Sequence, residues 1–293
     1  MEQSLVTAVF LPLALGIIML GMGMTLTSAD FKRIVVYPKA VVAGIICQML
    51  LLPLMGFAVA VSFNMAPELS VGIMLLALCP GGATSNIISH LAKADLALSI
   101  TLTAISSVVT NFTIPIFLNM SLSYFMGGEK AIQLPVATTL LQIFVVTILP
   151  ISFGMMIKKR FPKFTERSIK AVNAMSAGFF VIILLLAILK ERANIIPFFQ
   201  QAGFAALLLN LGGMASGYFI GKLFTLDFRQ RTTLAIETGI QNGTLAIALA
   251  LSPVVLNNSV MATPAAIYSL IMFVTATAVI LVSRKSVSQR DLA

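Results

Sequence analysis

Charge is scarce in this sequence. Asp, Glu, Lys and Arg make up 10% of the 293 residues, whereas a soluble domain carries about 25%. With 59% hydrophobic residues and a mean hydropathy of +1.02, a water-soluble globule is excluded. Cysteine is nearly absent too. Cys47 and Cys79 both fall in apolar runs, so neither a stabilising disulfide nor a thiolate metal cluster is supported, and both are expected in the core. A cleavable signal peptide is not expected, because Met1 to Ser4 lack a positive segment and the following apolar run is long enough to span. The net charge of +9 does not imply nucleic-acid binding, which needs a basic patch on a soluble face. No obligatory protein partner is evident, and the expected surroundings are the lipid bilayer.

What is present is apolar sequence in lengths that cross a membrane. At about 20 residues per span, nine spans are expected near 5–27, 40–62, 70–92, 96–122, 135–157, 171–189, 198–223, 232–256 and 261–283. The predicted fold class is an all-α polytopic membrane protein. Basic residues follow the odd-numbered spans: Lys32, Arg33 and Lys39; Lys93; Lys158 to Lys170; Lys222, Arg229 and Arg231; Arg284, Lys285 and Arg290. Only Lys130, Lys190 and Arg192 remain for the other side. Cytoplasmic loops retain Lys and Arg, which places the amino terminus outside and the carboxyl terminus in the cytoplasm.

Two spans are not ordinary helices. The third carries Cys79-Pro80-Gly81-Gly82-Ala83-Thr84-Ser85-Asn86 at its middle. There Pro removes a backbone donor, the glycines release the chain from helical geometry, and Thr84, Ser85 and Asn86 suit a restarting helix as caps. The eighth carries Glu237-Thr238-Gly239-Ile240-Gln241-Asn242-Gly243-Thr244, again polar and glycine-rich at a depth where irregular backbone must line protein or a cavity. The breaks are five spans apart, so the two helices run in opposite directions. That predicts an inverted repeat of four plus five spans, the signature of a midplane transporter site. Ordinary Gly/Pro kinking is the alternative for either break alone.

Of the ten acidic residues, Glu2, Asp30, Glu68, Asp95, Glu129, Glu166, Glu191, Asp227 and Asp291 lie at termini, loops or span ends, and Glu237 alone is deep in a span. A carboxylate there is costly unless its charge is met. No Lys or Arg is expected at that depth, so a cation or a proton must meet it, and unwound carbonyls of Thr238, Ile240 and Gln241 would suit a hard cation. Ser99 and Thr103 share a face of the fourth span. Either they face the same centre or they bond between helices or back to a carbonyl of their own helix. Gln48 is an ion ligand or a single interhelical hydrogen bond. Asn111 with Ser106, Ser107 and Thr110 extends the polar side of the fourth span, as packing or cavity lining. The single histidine, His90, is expected at the cytoplasmic interface. The two restarted half-helices offer N–H groups and a positive dipole end to an anion.

Pro80-Gly81-Gly82-Ala83-Thr84-Ser85-Asn86 together with Glu237-Thr238-Gly239-Ile240-Gln241-Asn242 resembles the bile acid:sodium symporter family, and the similarity covers the early Gly21-Met22-Gly23-Met24-Thr25-Leu26 stretch as well. The resemblance implies two broken helices crossing in a core domain (near 40–122 and 198–283) beside a panel domain (near 5–27, 135–157 and 171–189). It implies two sodium ions, one held by Ser85, Asn86, Ser99, Thr103 and Glu237, the other by Gln48, Glu237, Thr238, Ile240 and Gln241. The small organic anion, bile-acid-like or a carboxylate such as pantoate, is expected against Ala83, Thr84, Asn242, Gly243 and Thr244, which flank the half-helices. The family has ten-span and nine-span members, and unelaborated termini point to a bacterial inner-membrane member of the nine-span kind. The leading expectation is a sodium-coupled symporter working by alternating access, and the alternative is proton coupling through Glu237. An enzyme is not expected: the aspartates lie near span ends, and His90 has no nucleophile turn to meet it. A passive channel is distinguished from a symporter by whether substrate accumulates against its gradient.

Overall fold

The computed structural model describes residues 10–127, 136–253 and 255–291. Met1 to Ser4, the start of the first expected span, Glu129, Lys130 and position 135 lie outside the described residues, and so do the side chains of Arg290 and Asp291. The described chain is helical: α1 Leu11–Thr25, α2 Ser28–Lys32, α3 Pro38–Ser62, α4 Pro67–Leu78, α5 Ala83–Leu91, α6 Leu96–Phe125, α7 Ala137–Arg160, α8 Pro162–Lys190, α9 Ile195–Leu223, α10 Phe228–Gly239, α11 Gly243–Leu251 and α12 Ser259–Asp291. Among the described residues six helices (α3, α6, α7, α8, α9 and α12) are long and apolar enough to cross a membrane. The other expected spans take different forms. The third and eighth are each two shorter helices, and α1 turns into the short segment Ser28–Val35 through a 70° bend.

Local chemistry sets these boundaries. Pro38, Pro67 and Pro162 each occupy the first helical turn, where the missing N–H has no cost. Asp95 caps α6 by accepting from Leu98 N at 3.0 Å, and Asp227 with Gln230 forms a capping box on α10. The left-handed residue Lys93 (φ 52°) closes the turn after α5, and Thr225 (φ 57°) does so after α9. The expected sixth span begins too late. The basic residues between the expected spans 135–157 and 171–189 are not a loop: α8 starts at Pro162 and a single residue, Phe161, joins it to α7. Lys163, Arg167 and Lys170 are good helix formers, so the helix continues past its apolar stretch. In the same way α12 runs beyond the expected end at 283, to Asp291.

α4 and α11 are enclosed: Leu69 to Leu78 and Gly243 to Leu251 are buried throughout. α4 lies among α3, α6 and α12, and α11 lies against α12, α8 and α1. The long helices around them turn large apolar side chains outward, among them Val181, Ile182 and Leu185 on α8 and Leu281 and Val282 on α12. Such a surface is stable against lipid and not against water. α1 packs closely on the second half of α7 and on α8. At the α1–α7 crossing the two backbones nearly touch. A Cβ on Gly23 would stand 2.2 Å from the Ile151 carbonyl oxygen, and one on Gly154 would stand 2.3 Å from that of Leu20. Small residues allow this approach. Gly154→Val must separate the helices, and overpacking of this kind costs about 1–3 kcal/mol. The melting temperature of the detergent-solubilised variant should fall by roughly 5 °C, and an unchanged value in a thermal melt would disprove the close contact.

Candidate functional site

The two breaks meet. α4 stops at Leu78, Cys79 and Gly82 are extended, and α5 begins at Ala83. α10 stops at Gly239 and α11 begins at Gly243. Gly81 and Gln241 form an antiparallel bridge, and Asn242 N donates to Pro80 O at 2.9 Å. Each interrupted backbone thus supplies partners the other has lost, which is how non-helical chain is tolerated at this depth. The expectation that Thr84, Ser85 and Asn86 cap the restarted helix is corrected. Gly82 is the N-cap of α5 and has no side chain to offer, and Ser85 Oγ instead donates to Gly82 O at 2.8 Å. Asn242 does cap α11, accepting from Leu245 N at 3.0 Å.

Glu237, 5% exposed, sits on the last turn of α10 with its carboxylate against this crossing. Ser99 Oγ donates to its Oε1 at 2.5 Å and Thr103 Oγ1 to its Oε2 at 2.8 Å. Asn86 Oδ1 lies 2.8 Å from Ser99 Oγ and 3.3 Å from the Thr103 hydroxyl, and Ser85 Oγ is 3.4 Å from Thr103 Oγ1. Three elements converge here. α5 brings Ser85 and Asn86, α6 brings Ser99 and Thr103 from one face, and α10 brings the carboxylate. Among the described residues no basic side chain forms an ion pair with Glu237. Five residues therefore present side-chain oxygens around one negative charge, the donor set of a hard cation.

Gln48 and Gln241 make a second cluster. Gln48 lies on a π-helical turn, Cys47–Leu51, within α3. Such turns re-aim a side chain and recur at functional sites. Its Nε2 donates to Cys79 O at 2.8 Å and to Gln241 Oε1 at 2.9 Å. Gln241 Nε2 reaches Thr238 O at 2.8 Å, Glu237 O at 3.2 Å and Gln48 Oε1 at 3.3 Å. Gln48 thus makes more than one interhelical hydrogen bond. Thr238 Oγ1 bonds its own helix at Leu234 O, so the Thr238 atom in this cluster is the carbonyl. Ile240 is extended (φ −112°, ψ 93°), as the unwound segment requires.

Beside the crossing lies a cavity of about 410 Å³. Ala83, Thr84, Asn242, Gly243 and Thr244 all line it, facing Met22 of α1 and Asn173 and Phe180 of α8. None of its lining residues is Lys, Arg, His, Asp or Glu. An anion held there would rely on backbone N–H groups at the half-helix starts, on neutral side chains, and on a cation bound nearby. His90 is exposed and lines none of these spaces.

Two buried residues escaped sequence reasoning. Asn210 Nδ2 and the Tyr268 hydroxyl each donate to Gly239 O at 2.7 Å, fixing the last carbonyl of α10 where the helix unwinds. Asn210 is a lone amide within Leu207-Leu208-Leu209-Asn210-Leu211, and that was a usable signal. Tyr268 in an apolar span carried none.

The chain belongs to the sodium bile acid symporter family, whose model matches residues 12–198. It is 32% identical over 264 residues, 89% of this chain and 78% of the other, to the uncharacterized sodium-dependent transporter YocS of Bacillus subtilis. It is 31% identical over 236 residues (80% of this chain) to the probable chloroplastic sodium/metabolite cotransporter BASS1 of Arabidopsis thaliana. The match to the human ileal sodium/bile acid cotransporter is 26% over 261 residues, 87% of this chain and 73% of that one. The chain spans just over half the length of the chloroplastic relatives, 57% in the Arabidopsis case. The family and these relatives are transporters rather than enzymes.

Proposed function

We propose that this protein is a sodium-coupled symporter of small organic anions that works by alternating access. The observation that carries the reading is Glu237, a buried carboxylate at the junction of two broken helices, surrounded by neutral oxygens and paired with no basic side chain among the described residues. Sodium is the cargo these oxygens fit. One ion takes Ser85, Asn86, Ser99, Thr103 and the Glu237 carboxylate. A second takes Gln48, Gln241 and the backbone oxygens of Glu237, Thr238 and Ile240, once the Gln241 amide turns its oxygen rather than its nitrogen toward them. With both ions in place, the nearby cavity can accept an anion although it contains no cationic residue. A volume of about 410 Å³ accommodates anything from a pantoate-like carboxylate to a bile-acid-like molecule.

In this reading the chain crosses a plasma membrane nine times, counting α1 with its bend and each broken pair as spans. The amino terminus is outside and the carboxyl terminus in the cytoplasm. The two halves are inverted repeats, and α1, α7 and α8 form a panel that moves against a core of the remaining helices. The extensive packing of α1 on α7 and α8 supports that division. Sodium coupling is supported by the names of the relatives, each of which is called sodium-dependent or a sodium cotransporter.

Thr103→Val tests the first ion site with little change in shape. The variant should keep its maximal uptake rate in sodium-loaded assays but need roughly tenfold more sodium for half of it, because one neutral ligand and one donor to Glu237 are lost. An unchanged sodium titration would return Thr103 to packing. Proton coupling through Glu237 is the competing mechanism, and uptake driven by a pH gradient in sodium-free medium would select it.

A further inference from the structure

Three spaces lie along one side of α1. Leu11 and Leu15 border an apolar crevice of about 300 Å³, shared with Val145 of α7 and Leu249 of α11. One turn further along, Met19 borders a void of about 10 Å³ together with Asn111, Thr147 and Asn242, room for a single water at most. Met19 and Asn242 also line the cavity of about 410 Å³ beside the crossing. The three spaces therefore follow one line past the broken helices, with room on either side and a water-sized constriction between.

The constriction is polar although it is fully buried. Ser107 and Thr110 turn their hydroxyls back on their own helix, to Thr103 O at 2.7 Å and Ser106 O at 2.8 Å. Thr147 stands on a second π-helical turn, Phe144–Ile148 in α7. Its hydroxyl is 2.5 Å from Ile143 O and 3.4 Å from Asn111 Oδ1. Asn111 is 1% exposed, and its Nδ2 has no hydrogen-bond partner among the described residues. Leaving a buried amide donor unmet costs free energy, more so where lipid excludes water, and such a group calls for an explanation. The Asn111 amide faces a path, at the place where that path is shut.

We propose that Asn111 is a substrate-binding residue for the half of the path opposite the large cavity. When α1 and α7 draw back from α6 and α11, its amide N–H donates to a carboxylate or sulfonate oxygen of the organic anion. The apolar crevice receives the hydrocarbon part. In the closed arrangement the Thr147 hydroxyl gives its proton to Ile143 O and only brushes the amide oxygen at 3.4 Å, so the amide donor is kept ready for the next anion. This assignment rests on the symport reading above.

The test uses radiolabelled pantoate and taurocholate with the full chain, in intact cells and in inverted membrane vesicles, so that each face is supplied in turn. Asn111→Leu should raise the half-saturating anion concentration about tenfold at the outer face, the value of one hydrogen bond to a charged group, with little change at the inner face. Asn111→Ser keeps a donor and should restore most of the affinity. Where leucine prevents folding, Asn111→Ala removes the same amide. Unchanged half-saturation at both faces, an equal rise at both, or a change in maximal rate alone overturns the assignment. Accumulation of neither anion by the unmodified protein overturns it as well. Sodium-dependent thermal stabilisation is measured alongside. If it persists, only the Asn111 subsite has failed, and if it is absent from the unmodified protein, the symport reading has failed too.

Discussion

Glu237→Ala should abolish sodium-driven uptake while leaving the protein folded and in the membrane. The carboxylate is the sole formal negative charge in the cluster formed with Ser85, Asn86, Ser99 and Thr103, and four neutral oxygens alone hold a monovalent cation poorly in competition with water. Coupling then has no first ion, and uptake should drop to the level of membranes lacking the protein, a loss of at least about a hundredfold. Stability without sodium should not fall. Burying an unpaired carboxylate costs several kcal/mol, and the variant is relieved of that cost although the hydroxyls of Ser99 and Thr103 lose an acceptor. Transport assays on reconstituted protein, with surface expression measured in parallel, check both parts. Normal sodium-dependent uptake by the variant would remove Glu237 from the ion site.

Gly81→Ala should disable the same centre from the other broken helix. A Cβ at Gly81 would lie 2.7 Å from Glu237 Oε2 and 3.2 Å from Ser85 Oγ, too close for either to stay in place. The carboxylate end can swing away, so the fold survives, but two ligand oxygens are displaced together. The sodium concentration for half-maximal uptake should rise by more than about tenfold, corresponding to more than about 1.4 kcal/mol of lost ion binding. The sodium-free melting temperature should change little. A sodium titration overlapping that of the unmodified protein would show that Gly81 is a backbone hinge and nothing more.

Much of this centre was legible in the sequence because its strongest signals are local. Pro80-Gly81-Gly82 cannot continue a helix, Glu237 was the single acid away from every span end, and Ser99 and Thr103 share a face by helical periodicity. What was not legible depends on hydrogen bonds that close only in the fold. The Gln48–Gln241 pair joins residues 193 apart, and neither amide announces its partner. The π-helical turns at Cys47–Leu51 and Phe144–Ile148 each insert a residue into an apolar helix two positions before a proline, Pro53 and Pro150, but a proline in a membrane helix does not by itself say that a side chain is re-aimed. Tyr268 is one aromatic among many in an apolar span, and only the fold brings its hydroxyl to the Gly239 carbonyl. Helix ends were misplaced where basic residues 163–170 continued α8, since charge marks the membrane boundary and not the end of helical hydrogen bonding. The cap of α5 was misassigned because Ser85 and Asn86 are polar for another purpose. Their oxygens face Glu237 and its neighbours, leaving Gly82 to start the helix.

The central claim is that sodium binds at the crossing of the two broken helices, and thermal stability tests it without knowing the transported anion. The purified protein is melted in sodium and in equal concentrations of potassium or choline, with Glu237→Gln beside it. A ligand that binds only the folded state raises the melting temperature by mass action. A sodium-specific rise in the unmodified protein that vanishes in Glu237→Gln is the result expected here. No sodium-specific rise, or an equal rise in the variant, would contradict it, and a rise that followed pH instead of sodium would point to a proton at Glu237.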